Sequence, residues 1–265
     1  MESDCFFTIG KGHRECQDYA RSSSGFIVVG DGCSSSRDTD VGVRHIVNSA
    51  MLRHRRYGTS FDPGWVIRRA AKAAAMLGNC STSLDATLLV ATLDERSGIH
   101  CFAAGDGYIA ARMRSGELRL WEIDDGPAPA YLSYTLDSER LQRYWDEWGI
   151  RRRITASVDG EVVSEQFVSL RDDYVFHLRL STREVETVFL MSDGVNSFQD
   201  GAGEKVDVRS VVDELCALKS VRGEFVRRRA RRFLGKTCSR RSWGHDDDLA
   251  IAALHIPGGQ RENMA

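Results

Sequence analysis

"GFIVVGDGCSSS", residues 25–36, runs an apolar stretch straight into Asp31-Gly32, and the same figure returns as "IHCFAAGDGYIA" at 99–110 and "VFLMSDGVNSF" at 188–198. Asp-Gly after a strand is first of all a turn signal, because glycine tolerates positive φ and aspartate hydrogen-bonds its own backbone. That explains one copy better than it explains three. The final apolar run reverses the order, since "GHDDDLAIAALHI" at 244–256 sets its carboxylates at the start. The Asp-Gly copies lie 75 and then 87 residues apart, too far and too unequally for a solenoid repeat. The pattern therefore predicts one domain, residues 1–265, with the acidic turns gathered at one end of a sheet.

A chain of 265 residues can bury a substantial core. Its formal net charge of -2 gives no global attraction to nucleic acid or to an anionic membrane, so neither is expected as a partner. No apolar run approaches the roughly 20 residues that span a bilayer, and "MESDCFFTIGKGHRECQ" lacks the form of an export signal. Seven cysteines, an odd number with no C-x-x-C pair, argue against a disulfide framework and against a structural zinc site. A reducing cytoplasm is the expected location.

The elements separate along the chain. "CFFTIG" and "GFIVVG" read as short strands, the second so continuously apolar that both of its faces should be buried. Val43, Ile46, Val47, Ala50 and Met51 recur at helical spacing after the first Asp-Gly, and "DPGWVIRRAAKAAAMLG" opens with Asp62 and Pro63 as helix-start signals. "DATLLVATLD", "GIHCFAAGD" and "GYIAARMRSGELRLWEI" read as a meander of strands. Residues 124–186 mix a helix, "DSERLQRYWDEWG", with poorly patterned strands; they read as exposed scaffold, with a lid or recognition insertion as the functional alternative. Two helical stretches, "DVRSVVDELCALKS" and "GEFVRRRARRFLGK", precede the last strand. The arginine-rich second one reads as an amphipathic helix with a solvated basic face.

Several motifs fail on inspection. "FLGKT" at 233–237 ends like a phosphate-binding P-loop, but Ala230 stands where its first glycine belongs and a helix precedes it. Cys216 and Arg222 have the spacing of a thiolate phosphatase, yet "ALKSV" between them carries no glycine and continues a helix. No G-x-S-x-G elbow is present. What remains is a set of acids: Asp18, Asp31, Asp106, Asp193 and the run Asp246, Asp247, Asp248. Carboxylates without histidine or cysteine form a hard oxygen site suited to magnesium or manganese, and packed aspartates repel one another unless a cation holds them. Two such ions about 4 Å apart can activate water for in-line displacement at phosphorus.

In the order "ECQDYA", "VVGDGCSSS", "SLDATLLVATL", "FAAGDGYIA", "FLMSDGVNSF", "HDDDLAIAAL", the chain resembles the metal-dependent protein phosphatase 2C family, over about residues 6 to 256. The resemblance implies an α+β fold, a four-layer αββα sandwich of two antiparallel sheets flanked by helices. It implies hydrolysis of phosphoserine and phosphothreonine in proteins, using two magnesium or manganese ions and direct attack of a metal-bound water. A phosphoprotein opposed by a serine/threonine kinase would be the partner. Carried over by position, Asp31 would bridge both metals, the Gly32 carbonyl would ligate one, and Asp193 and Asp247 would complete the direct ligands. Asp18, with Gln17, would hold metal-bound water, Thr87 would support the site, and Asp106 would help bind a third metal.

The departures matter as much. Cys33 stands where many members carry a histidine proposed as general acid, and Ser197 replaces the usual acidic partner at the third metal. The phosphate-binding arginine usually lies five residues before the Asp18 equivalent; that position is His13, which leaves Arg14 as the substrate-binding candidate if the loop shifts by one. Two alternatives stay open: a weak or inactive regulatory module that binds metal or phosphoprotein, and a thiolate phosphatase built on Cys216.

Overall fold

The computed structural model describes residues 1–59, 61–94, 98–148 and 151–258. The expected domain span of 1–265 therefore extends beyond the described residues. In chain order the elements are β1 (Glu2–Thr8), β2 (Asp18–Ser23), β3 (Phe26–Gly32), α1 (Thr39–Tyr57), α2 (Pro63–Met76), β4 (Ala86–Asp94), β5 (Gly98–Ala104), β6 (Gly107–Met113) and β7 (Leu118–Asp124). Then follow α3 (Ser138–Trp148), β8 (Arg151–Val158), β9 (Glu161–Ser169), β10 (Phe176–Leu180), β11 (Val185–Met191), β12 (Phe198–Gln199), α4 (Val208–Cys216), α5 (Phe225–Arg232), β13 (Gly244–His245) and β14 (Leu249–His255).

Two antiparallel sheets stack face to face. One has seven strands in the order β1-β14-β11-β6-β7-β8-β9, the other five in the order β10-β5-β4-β3-β2. Strand alternation explains the layers. In β3, Ile27 and Val29 point into the core between the sheets, whereas Phe26 and Val28 face α1 and α2. In β14, Ala250, Ala252 and Leu254 face the other sheet, and Leu249, Ile251 and Ala253 face α4 and α5. Continuous apolar runs are thus strands covered on both sides, and the αββα sandwich expected from the sequence is the fold observed.

Local signals hold at several points. Asp62 caps α2 by accepting from the Trp65 amide at 2.9 Å, with Pro63 in the first turn. The strand series from β4 to β7 is not the expected single meander, because β4 and β5 lie in one sheet and β6 and β7 in the other. The chain changes sheets at Gly105-Asp106-Gly107, where both glycines take positive φ, 86° and 136°. The segment "FLGKT" continues α5 as a π-helical turn, Phe233–Cys238, which is no phosphate loop. Among the described residues no helix is long and apolar enough to cross a membrane.

Residues 124–186 contribute α3 and extend the seven-stranded sheet through β8 and β9. A buried ion pair anchors them: Arg152 Nε lies 2.6 Å from Asp125 Oδ1 and its Nη2 3.0 Å from Oδ2, both side chains enclosed. Such a pair costs desolvation, so its weight lies in fixing this geometry more than in net stability.

Candidate active site

The antiparallel register brings one set of strand ends together. The C-terminal ends of β1, β3, β5 and β11 and the N-terminal ends of β2, β4, β6 and β14 meet at one end of the sandwich. Asp18 pairs across the sheet with Asp31, which pairs in turn with Thr87. Asp106 enters from the sheet crossover, Asp193 from the short helical turn Asp193–Asn196 after β11, and Asp247 and Asp248 from the lead into β14.

Glycine permits the close approaches. A Cβ on Gly194 would run into the Asp248 carbonyl, and one on Gly10 into the backbone of Asp246 and Asp247. The β1–β2 loop is thereby pinned on the chain before β14, where the Gly12 amide also donates to the Asp246 carbonyl at 2.8 Å. The third Asp-Gly is thus a contact between two chain segments, not a hairpin turn.

Accessibility grades the acids. Asp18 and Asp248 are buried, while Asp31, Asp106, Asp193 and Asp247 keep partial access to solvent. Asp18 Oδ2 accepts from the buried Ser192 hydroxyl at 2.6 Å, and Ser192 Oγ accepts the Ala250 amide at 2.9 Å. Asp248 is consumed by structure: it accepts the amides of Gly10 at 2.8 Å and Gln17 at 2.6 Å. Asp247 has a side chain 42% exposed. His13 lies against both, its Nδ1 3.1 Å from Asp248 Oδ2 and its Nε2 3.4 Å from Asp247 Oδ1.

The electrostatics follow from this crowding. Burial, then the charges of Asp18 and Asp193, hold Asp31 well above the usual carboxylate range. Asp18 is raised well above that range too, by burial first and by Asp193, despite the Ser192 hydrogen bond. Asp106 is pushed up to about 8 by burial and by Asp193. Burial and Asp193 also raise Asp247.

A model of the family described as protein phosphatase 2C matches residues 9–234. The chain belongs to the protein phosphatase 2C family. Among solved structures it is similar to the Mycobacterium tuberculosis serine/threonine phosphatase PstP/Ppp, with 12% identity, TM-score 0.56, and 96% of this chain and 97% of that one covered. The PstP catalytic domain in complex with two manganese ions matches at 13% identity, TM-score 0.56, covering 96% and 98%. PppA, a regulatory component of the type VI secretion system in Pseudomonas aeruginosa, matches at 16% identity, TM-score 0.51, covering 96% of each. The comparison with curated proteins gives no match.

Protein phosphatase 2C enzymes are metal-dependent, which asks of this donor set whether it can hold a cation. Among the described residues no three His, Cys, Asp or Glu side chains stand around one point at coordinating distance. The chemistry of the set nevertheless fits a hard cation: the acids are all partly or fully withdrawn from water, and burial together with neighbouring charge raises Asp18, Asp31, Asp106 and Asp247. Thr87 Oγ1 is a further oxygen beside Asp31, buried and with no hydrogen-bond partner among the described residues.

The remaining expected residues lie as follows. The Gly32 amide donates to the Gln17 carbonyl at 3.0 Å, while the Gln17 side-chain amide donates to Thr39 Oγ1 at 2.6 Å. Gln17 therefore ties the loop to α1. Arg14 is exposed on the β1–β2 loop, and Ser197 donates to the Gly194 carbonyl at 2.8 Å. Burial raises the Cys33 thiol, but hydrogen bonds with Ser35 and Tyr131 outweigh it and leave the thiol below its ordinary value. Cys216 is sealed in the core under α4, where burial pushes its thiol far up, so the thiolate reading has no accessible nucleophile.

Sequence reasoning missed Ser192, Tyr131 and the contacts of His13. A serine directly before Asp193 was a readable signal; Tyr131 reaches Cys33 through a fold that only tertiary structure closes.

Proposed function

We propose that this protein phosphatase 2C member hydrolyses phosphoserine and phosphothreonine in proteins, with Mg2+ or Mn2+ as cofactor. The observation that carries this reading is the convergence of Asp31, Asp106, Asp193 and Asp247, all reachable from solvent, around the buried Asp18. Asp31, the Gly32 carbonyl, Asp193 and Asp247 would hold two ions, Asp18 would act from behind them, and Asp106 would favour a third. When bound, such ions neutralise phosphoryl charge and lower the pKa of a water molecule for direct displacement at phosphorus. The chain's own work is positional. Ser192 orients Asp18, the strand pairing sets Asp31 between Asp18 and Thr87, and Gly194 lets the turn that carries Asp193 pack on the Asp248 backbone.

The substrate would be a phosphoprotein opposed by a serine/threonine kinase, met by residues 124–186 as a recognition insertion. All seven cysteines are free, as suits a reducing cytoplasm. A second reading, a phosphatase-like regulatory module, draws on Cys33 at the position of the family's acid and on His13, engaged with Asp247 and Asp248, at the position of its arginine.

Hydrolysis of p-nitrophenyl phosphate with manganese, magnesium or EDTA separates the two. Manganese-dependent turnover should fall more than about 100-fold in Asp31→Asn and in Asp193→Asn, beyond the usual effect of outer-shell changes. Folded protein that shows no turnover with either manganese or magnesium would sink the catalytic reading and leave the module.

A further inference from the structure

The chain's near neutrality hides a local excess of charge. Residues 219–241 carry ten of its 36 Lys and Arg and a single acid, Glu224. Folding concentrates part of that excess in a groove of about 430 Å³ between the α4–α5 connection and α5, lined by Lys219, Arg228, Arg231, Arg232 and Lys236 over the buried Phe225 ring. None of these residues belongs to the acidic site.

Charge pairing is uneven around it. Arg229 is spent on Glu214 at 2.6 Å and Arg227 on Glu224 at 2.8 Å. Among the described residues no carboxylate lies within ion-pair distance of Lys219, Arg231, Arg232 or Lys236, and Arg228 gives a hydrogen bond only to the Arg222 carbonyl, at 2.7 Å. The apolar side of α5, with Phe225, Val226 and Ala230, is fully used in the core. Arginines standing clear of any acid on a rigid helix are pre-organised for carboxylate or phosphate oxygens.

We infer that this groove docks an acidic segment of a partner polypeptide, apart from the acidic site. From Arg228 to Lys236 the helix advances about 12 Å, the reach of roughly four residues of extended chain, so successive helical turns meet alternate acidic side chains. Two other polyanions fit less well. An anionic membrane would want apolar side chains beside the cations, yet no large exposed apolar residue lies within 219–241. Single-stranded nucleic acid would want stacking platforms, and the one aromatic lining the groove is buried. This inference does not rest on the catalytic reading.

The test is fluorescence anisotropy of the full chain, without added metal, with labelled deca-glutamate, deca-glutamine, a dT15 oligonucleotide and phosphatidylserine vesicles. Deca-glutamate should bind and weaken at least about tenfold between 0.05 and 0.5 M NaCl, as screened charge contacts do; deca-glutamine should not bind. The triple variant R228E/R231E/K236E, all at exposed positions, should lose at least about tenfold in affinity with its circular dichroism unchanged. The control R55E/R56E on α1 should bind as the parent does. Unchanged binding by the triple variant, absent binding of deca-glutamate, or tighter binding of dT15 or vesicles lost in the triple variant overturns the proposal.

Discussion

At the scale of the residue, the run Asp246-Asp247-Asp248 shows how identical side chains divide their work. Asp248 is enclosed and takes two backbone amides from the β1–β2 loop; Asp247, one residue earlier, keeps open access and faces Asp193. Substitutions should separate them. Asp248→Ala strips a charged acceptor from the amides of Gly10 and Gln17 and should destabilise the fold by about 2–4 kcal/mol, seen as a lower urea midpoint. Asp247→Asn should leave that midpoint within about 0.5 kcal/mol while removing manganese-dependent turnover. Equal stability losses would erase the distinction. The sequence pointed to Asp247 only through its place in a motif, since burial, which tells the two apart, is set by a loop more than 200 residues away in the chain.

At the scale of the element, the double burial of β3 was legible because a strand covered on both faces has no polar side to lose. β2, "DYARSS", was not read as a strand, for it is short, polar and at a sheet edge, and it owes its form to pairing with β3. The sheet crossover at Asp106 was equally hidden, because strands joined by a short turn read alike whether they pair or part. A polar cluster ties the insertion to the loop after Asp31: buried Asp85 accepts from Ser36 at 2.8 Å, Ser133 at 2.6 Å and Arg140 at 2.6 Å, and its carbonyl takes the Cys33 amide at 2.8 Å. Arg140→Met removes one charged donor of three, at a cost of about 1–3 kcal/mol, lessened by the partial exposure of the arginine. Amide exchange should quicken in α3 and at 33–36 together; acceleration in α3 alone would mean that the cluster does not couple the two.

At the scale of the whole molecule, the sandwich is a frame that pushes like charges together. Its three apolar layers hold the strand ends fixed, so the acids cannot relax apart, and the raised proton affinity of Asp18, Asp31 and Asp106 records the resulting conflict. That conflict destabilises the protein without counter-charge, and it is the reason a hard cation should stabilise it. At manganese near 100 times its dissociation constant, linkage adds about 2.7 kcal/mol, which for a chain of this length raises Tm by about 5–10 °C. EDTA should reverse the shift. Asp31→Asn removes one of the repelling charges, so in EDTA its Tm should equal or exceed the parent's, while manganese should no longer raise it. A site kept for function at the expense of stability predicts that pairing of outcomes, whereas a variant less stable in EDTA and still stabilised by manganese would show Asp31 to be a structural residue, with the ion held elsewhere.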